Sequence, residues 1–401
     1  AALESSVIDA TNKVANMVKN GKELDPTTGV LQAAGSLTTL LFNDLIGVGN
    51  YLKSGFVYKD NNTEKSKETT SKMNANNISF KSTNGDITLK GTDIKANNEI
   101  NLDSAKNIYI KGSTTTENIS KSTFDGELRF GQGASIHPLF GAGTGMNLGF
   151  HVSGDVTNEH SKLNNNSKLS SQNIKISAKE NVEVVGGNIN AENNLELNVG
   201  KDLNVESVKS YKKSEKEFGS LGGRVGIGIA SNTIIKGNIS SAIGGGHIYD
   251  NFENTVSSSI QSKNNMSVNV NGDAYMTGSI LGSNNKNSNI NINGKLVTND
   301  IINNSNKGGA DVVISAGQSG EIGGTGIISD KLDKTTINTS VINSGKITVN
   351  NKNIENIGDI NNNEIEVKNN SSKGGIFSGV GPIKKGYESF TSHKRGSYDV
   401  N

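Results

Sequence analysis

Any chemistry in this chain would have to come from five histidines, scattered acids and several glycine runs, because it contains no cysteine. That absence removes disulfides, thiolate metal sites and a cysteine nucleophile. The histidines are His137, His151, His160, His247 and His393. His151 and His160 stand nine residues apart, which matches no zinc spacing such as H-E-x-x-H. All five read as surface or strand residues. Glu180, Glu183, Glu192 and Glu196 fall on or beside outward strand positions. A polysaccharide-cleaving site needs two carboxylates about 5–9.5 Å apart. Glu183 and Asp86 lie one turn of the repeat from Asn204 and Asn107, so each acid meets an amide. The runs GQGASIHPLFGAGTG (131–145) and GSLGGRVGIGIA (219–230) share only their glycines with nucleotide loops. A G-x-G-x-x-G loop needs a helix after it, whereas the residues that follow here alternate as strands. Gly244-Gly245-Gly246-His247 departs at its fourth position from the calcium-binding nonapeptide G-G-x-G-x-D. No catalytic, cofactor-binding or metal-ligating residue is assigned, no cofactor is expected, and the chain reads as non-enzymatic.

The elements that would carry such residues are set out in 73–113. Apolar pairs two residues apart recur there: Ile78/Phe80, Ile87/Leu89, Ile94/Ala96, Ile100/Leu102 and Ile108/Ile110. On a strand the two members of each pair face the same way. Between them sit Asn76-Asn77, Asn84-Gly85, Lys90-Gly91 and Asn97-Asn98, suited to sharp bends. Three short strands and three corners in 21–22 residues make one turn of a β-solenoid. The pattern restarts at Ile174/Ile176, Val182/Val184, Ile189/Ala191, Leu195/Leu197 and Leu203/Val205. Steps between pairs are 9, 7, 6 and 8 in the first block and 8, 7, 6 and 8 in the second. A third block carries Met266/Val268, Ala274/Met276, Leu281 and Ile290/Ile292, giving superperiods of 96 and 92 residues. The unit is two turns followed by an excursion, at 114–168 and again at 208–258. Alternating runs inside the excursions predict β-hairpins. Their aromatics Phe130, Phe140, Phe150, Tyr249 and Phe252 offer either packing on the rod or a contact surface.

Composition agrees with a thin, repetitive core. Apolar residues make up 32% and aromatics 5%, with no Trp, against about 45–50% apolar in ordinary globular domains. Forty basic and 39 acidic residues leave a net charge of +1 without charge blocks, so nucleic acid is not an expected partner. The opening AALESSVID has neither a basic start nor an apolar stretch, and the chain reads as a segment of a longer protein. No 18-residue apolar run predicts a transmembrane helix.

The predicted organisation is a helical, apolar packing segment over 1–56, coils with excursions over 57–300, less regular coils over 301–368, and a Gly/Ser/Lys-rich linker or tail over 369–401. Leu3, Val7, Ala10, Val14, Met17 and Val18 give the first segment its helical spacing, while 28–53 suits a second helix or a hairpin arm.

The runs ANNEINL (96–102), AKNIYI (105–110), AENNLELNVGKDLNV (191–205) and SKNNMSVNVNGDAYM (262–276) resemble the filamentous-haemagglutinin repeats of two-partner-secretion exoproteins. The alternation of polar and Gly-rich excursions is similar to the second haemagglutinin-repeat region of contact-dependent growth inhibition effectors. The resemblance covers about residues 36–367, with Asn-Asn often standing where the family has Ala-Gly. It implies an all-β, right-handed parallel β-helix on a secreted, cell-surface fibre. It also implies an outer-membrane secretion partner of the Omp85 type for the full-length protein. Two functions stay open on that basis. One is a structural stalk in adhesion to host or bacterial cells. The other is contact with a target outer membrane during toxin delivery. A polysaccharide-cleaving β-helix is a third, weaker alternative.

Overall fold

A computed structural model describes residues 46–137, 141–230, 234–283, 285, 287–317, 321–358 and 364–380. Every regular element among them is a β-strand. The predicted helical spacing over residues 1–22 lies outside the described residues. Residues 46–56, which the sequence places in a second helix or a hairpin arm as far as 53, are extended, and Ile46–Lys67 pairs along its whole length with Ser113–His137.

The strands form two systems. In the first, short strands stack in parallel as seven coils at 71–90, 92–111, 167–185, 187–206, 259–277, 280–299 and 341–349. They make an 11-stranded sheet, which bends around two faces of the coil, and a 6-stranded sheet on the third. Pairing places like on like. Phe80, Leu102, Ile176, Leu197, Val268, Ile290 and Ile347 form one column through all seven coils. Ile87, Ile108, Val182, Leu203, Ala274 and Leu296 form another. A single coil cannot bury these side chains; stacking does, and Leu102, Ile176, Leu197 and Val268 lose all solvent contact. Each such Leu or Ile contributes about 1.5–3 kcal/mol. The coils stay in contact across the excursions, so strand partners in coils two and three lie some 74 residues apart, as with Ile100 and Ile174.

The second system is an 8-stranded antiparallel sheet. Its strands are β1 (Ile46–Lys67), β2 (Ser113–His137), β3 (Gly141–Asn165), β4 (Val208–Ala230), β5 (Ile234–Val256), β6 (Ile301–Gly317), β7 (Glu321–Asn338) and β8 (Glu364–Val380), paired in that order. At 25 residues, β2 and β3 are each about 85 Å long. The coil column is only about 35 Å tall at roughly 4.8 Å per coil. The excursions are therefore not decorations on a rod. They form a plate that extends sideways further than the column rises.

Step size explains why turns come in pairs. One coil climbs about 4.8 Å, and so does one strand of a sheet. The first seven long strands each lie level with one coil: β1 with the first, β2 with the second, β3 with the third, through β7 with the seventh. Two coils per two-stranded hairpin is the ratio that keeps both systems in step. Within each pair the chain passes directly from one coil to the next through a glycine with left-handed backbone, Gly91 (φ 58°), Gly186 (φ 66°) and Gly278 (φ 53°). A Cβ on Gly186 would stand 3.3 Å from the Gly112 backbone and from Val208. Gly186→Val is expected to cost about 2–3 kcal/mol, from a left-handed β-branched residue plus that contact. Gly186→Asn should cost clearly less. Equal urea midpoints for the two variants would contradict this.

Serines close the junctions where parallel pairing gives way to antiparallel. The Ser258 hydroxyl donates to the Glu206 carbonyl and accepts from the Gly186 and Gly187 N–H groups. Ser207 donates to the Gly278 carbonyl, and Ser167 to that of Lys111. All three serines are buried, so these bonds add side-chain partners to the backbone groups of the junctions, some of which also pair with backbone, as the Gly186 N–H does with the Glu206 carbonyl.

Two expectations need correction. Residues 301–338 are not irregular coils; β6 and β7 form a third hairpin of the long sheet, absorbing Gly308-Gly309 as a register shift. Residues 369–380 are not linker but part of β8, which pairs with β7. Both segments alternate without a corner every six to eight residues, and uninterrupted alternation yields long strands. The column itself ends at Asn350-Asn351, both with positive φ, where Lys352–Ile354 folds back antiparallel.

Candidate interaction face

Candidate chemical residues on the coils prove to be stacking residues. Glu180 pairs with Lys201 at 3.5 Å, Glu183 with Lys111 at 3.0 Å, Glu192 with Lys263 at 2.5 Å and Glu196 with Lys175 at 3.1 Å. Each pair bridges neighbouring coils. The Lys175 hydrogen bond is the main cause holding the Glu196 carboxyl below the ordinary range, helped by Asn198. A depressed carboxylate contributes stability above its unfolded pKa, and that contribution is lost as pH falls through the folded value. Acidification below the usual carboxylate range should lower the melting temperature, less so in Glu196→Gln; identical pH profiles would count against this.

Asp86 and Asn107 belong to a ladder that runs up one corner. Asp86 Oδ1 accepts from both the backbone N–H and the amide of Asn107, each at 3.0 Å. Asn107 Oδ1 accepts the same two bonds from Asn181, whose oxygen accepts from the Asp202 N–H. Asp202 accepts from Asp273 N–H at 2.7 Å and Asp273 from Lys295 N–H at 2.8 Å. The Lys295 N–H is the largest cause of the lowered Asp273 pKa, followed by the Tyr275 hydroxyl. A second ladder joins Asn173, Asn194 and Asn265. Asn107→Ala removes bonds to the coils on both sides and is expected to cost about 1–3 kcal/mol, measurable by urea unfolding. The signal for the first ladder was present in the sequence as an Asp or Asn before each apolar pair.

Among the histidines, His160 is held by Asn118 on one ring nitrogen and by the Tyr211 hydroxyl at 2.9 Å on the other. His151 lies across from Glu127 on β2, and His247 stands over Tyr249. They do not converge, and no group of three metal-capable side chains occurs among the described residues. His393 and Phe140 lie outside the described residues.

The distinctive surface is on the long sheet. Directly paired residues share a face, so the register sorts its side chains. On one face Leu52, Phe130, Leu148 and Val225 form a row, and Leu128 with Phe150 the next. Phe56, Val152, Leu221, Ile243 and Ile314 form a third. Tyr58, Phe124 and Val312 form a fourth, and Val156 closes the band. Leu52 is 73% exposed, and Phe150, at 45%, is among the better covered. The rows span eight residues along a strand, about 27 Å.

Aromatic rings lie over glycines in this band. Phe56 covers Gly126, Phe124 covers Gly154 and Phe150 covers Gly223, where an added Cβ would meet ring carbons at 2.7, 3.3 and 2.7 Å respectively. The rings are thereby laid down, and the surface is flat. The reverse face is polar for most of this height. Lys53 and Arg129 both pair with Glu127, and Lys216 with Asp155 at 3.5 Å. The Arg129 hydrogen bond is the chief cause of the lowered Glu127 pKa. Val57, Phe218, Ala242 and Ile248 are apolar exceptions on that side. Toward the coils the apolar face itself turns polar, with Asn62, Ser120, Asn158, Glu215, Asn118 and His160 lining a shallow trough. Phe130 and Phe150 thus join the band, whereas Tyr249 lies on the coil-proximal side of it and Phe252 on the reverse face.

Comparison with known proteins gives the family. The family model described as "Hemagglutinin repeat" matches residues 54–217 and 148–307. The chain is 28% identical over 259 residues to "Protein adenylyltransferase and cysteine protease IbpA" of Histophilus somni (strain 2336), covering 62% of this chain and 6% of that protein. It is 25% identical over 295 residues to "Filamentous hemagglutinin" of Bordetella pertussis, covering 70% of this chain and 8% of that protein. The chain thus matches less than a tenth of the length of these relatives. No solved structure matches it.

Proposed function

From the premise that the chain belongs to the hemagglutinin-repeat family of two-partner-secretion exoproteins, we propose that it is a structural contact segment of a secreted bacterial surface adhesin. In this reading the coil column is a right-handed parallel β-helix, and the full-length protein leaves the cell through an outer-membrane partner of the Omp85 type. The observation that carries the proposal is the division of labour between the two systems. The column is held by apolar columns and polar ladders. The plate presents a broad surface far from that column. The work is mechanical: the coils fix height and spacing, and the hairpins hold the contact surface outward. The segment acts without catalysis. The activities in the name of the H. somni protein are said of that protein, of which 6% is matched.

Toxin delivery across a target outer membrane is the competing reading. Its supporting observation is the height of the apolar band, close to the apolar belt of about 25 Å in outer-membrane barrels. Cell binding by the purified chain tests the adhesion proposal. The intact chain should bind host or bacterial cells saturably, and a variant with the β2–β3 and β4–β5 hairpins cut back to their coil-proximal halves should lose binding while keeping its β-type circular dichroism. Undiminished binding by the shortened variant would refute the assignment to the plate.

A further inference from the structure

The apolar band has no covering element among the described residues, and its flatness says what fits. We propose that it is the docking face for a second copy of this chain, so that two plates pack face to face with their polar faces outward. This goes beyond the adhesion reading and does not depend on which cell surface the fibre meets.

Three observations support a second copy. The first is extent. The longest row of the band crosses β1 to β6, about 24 Å at roughly 4.8 Å per strand, and the rows together run about 27 Å along the strands. The rectangle that bounds them is roughly 650 Å² in projection, on the scale of the ~800 Å² that a standard interface covers on each partner. The second is shape. Rings laid over Gly126, Gly154 and Gly223 remove the knobs that would hold another sheet away, and two sheets pack about 10 Å apart. The third is one-sidedness. The reverse face carries the Lys53–Glu127 and Lys216–Asp155 pairs, so one side is suited to burial and the other to water.

Lipid fits less well. Among the described residues β1 pairs only with β2, and β8 only with β7. In hydrocarbon both outer edges would leave long rows of unpaired N–H and C=O groups, which a bilayer does not tolerate. Lipid on the reverse side would also strand the ion pairs. A second copy demands neither.

Sedimentation velocity of the full chain at about 10 µM, well above the Kd of a nanomolar dimer, tests this. A dimer is expected. Leu148→Asp combined with Leu221→Asp should raise the dissociation constant at least about a hundredfold. Both residues are exposed in the single chain, so the variant should retain its circular dichroism. Lys121→Glu, on the reverse face, should leave the dimer unchanged. A wild-type monomer overturns the proposal, and so does a double variant that remains dimeric. A wild-type monomer that floats with phosphatidylcholine vesicles overturns it in favour of lipid. An intact chain that dimerises but does not bind cells would instead count against the adhesion reading alone.

Discussion

Deleting one coil, residues 187–206, is expected to abolish the fold, whereas deleting the larger stretch 167–258 should leave a shorter folded protein. The reason is the match between coil and strand. Removing 187–206 joins β3 to β4 through the single coil at 167–185, so that two long strands must leave from one level. Adjacent strands need about 4.8 Å between them, and one coil supplies a single level. Either the hairpin detaches or the columns above it shift by half a repeat. Removing 167–258 takes out two coils together with β4 and β5. Coil 259–277 then follows coil 92–111, and β3 meets β6. The apolar columns continue as Leu102 on Val268 and Ile108 on Ala274. Expression of both deletions, followed by circular dichroism and limited proteolysis, separates the cases. A well-folded protein lacking only 187–206 would break the account.

Leu197→Asp should be the most damaging single substitution among those considered. Leu197 stands between Ile176 and Val268 with no solvent contact. Truncating a buried Leu costs about 2–5 kcal/mol by itself. A carboxyl group placed there also loses its hydration, which adds several kcal/mol or forces it to take up a proton. The total, about 5 kcal/mol or more, is a large part of a typical domain's stability. Damage should spread along the column, because each coil is covered only by its neighbours. Hydrogen exchange should reveal lost protection first in the coils at 167–185, 187–206 and 259–277. Protection unchanged there would show that Leu197 is not in the core.

Much of the column was legible in the sequence, and the reason is local. The Ile78/Phe80 spacing sets a face within one strand, and Asn84-Gly85 or Asn97-Asn98 sets a corner within a few residues. Repetition then identifies the stacking partners. The plate was harder to read because its features are not local. Leu52, Phe130, Leu148 and Val225 are separated by up to 173 residues and form a row only through the strand register. The exposed band was therefore visible only as a scatter of aromatics. The ring of Phe150 over Gly223 likewise depends on a partner 73 residues away. Residues 301–338 were misread for a related reason. Val312/Ile314 has the spacing of a coil pair, and alternation alone does not distinguish a short parallel strand from part of a long antiparallel one. The buried serines carried a weak signal, since Ser113, Ser207 and Ser279 each follow the last apolar residue of a coil by two or three residues. Serine is too common in this chain for that to have stood out.

The central claim is that each coil of the column is level with one strand of a long plate. Cryo-electron microscopy of the purified chain tests it most directly. The expected particle is a plate about 85 Å across with a column about 35 Å tall along one margin, and strands spaced about 4.8 Å apart in both. A slender rod with the hairpins folded down along it, or a compact globule without a projecting sheet, would contradict the account.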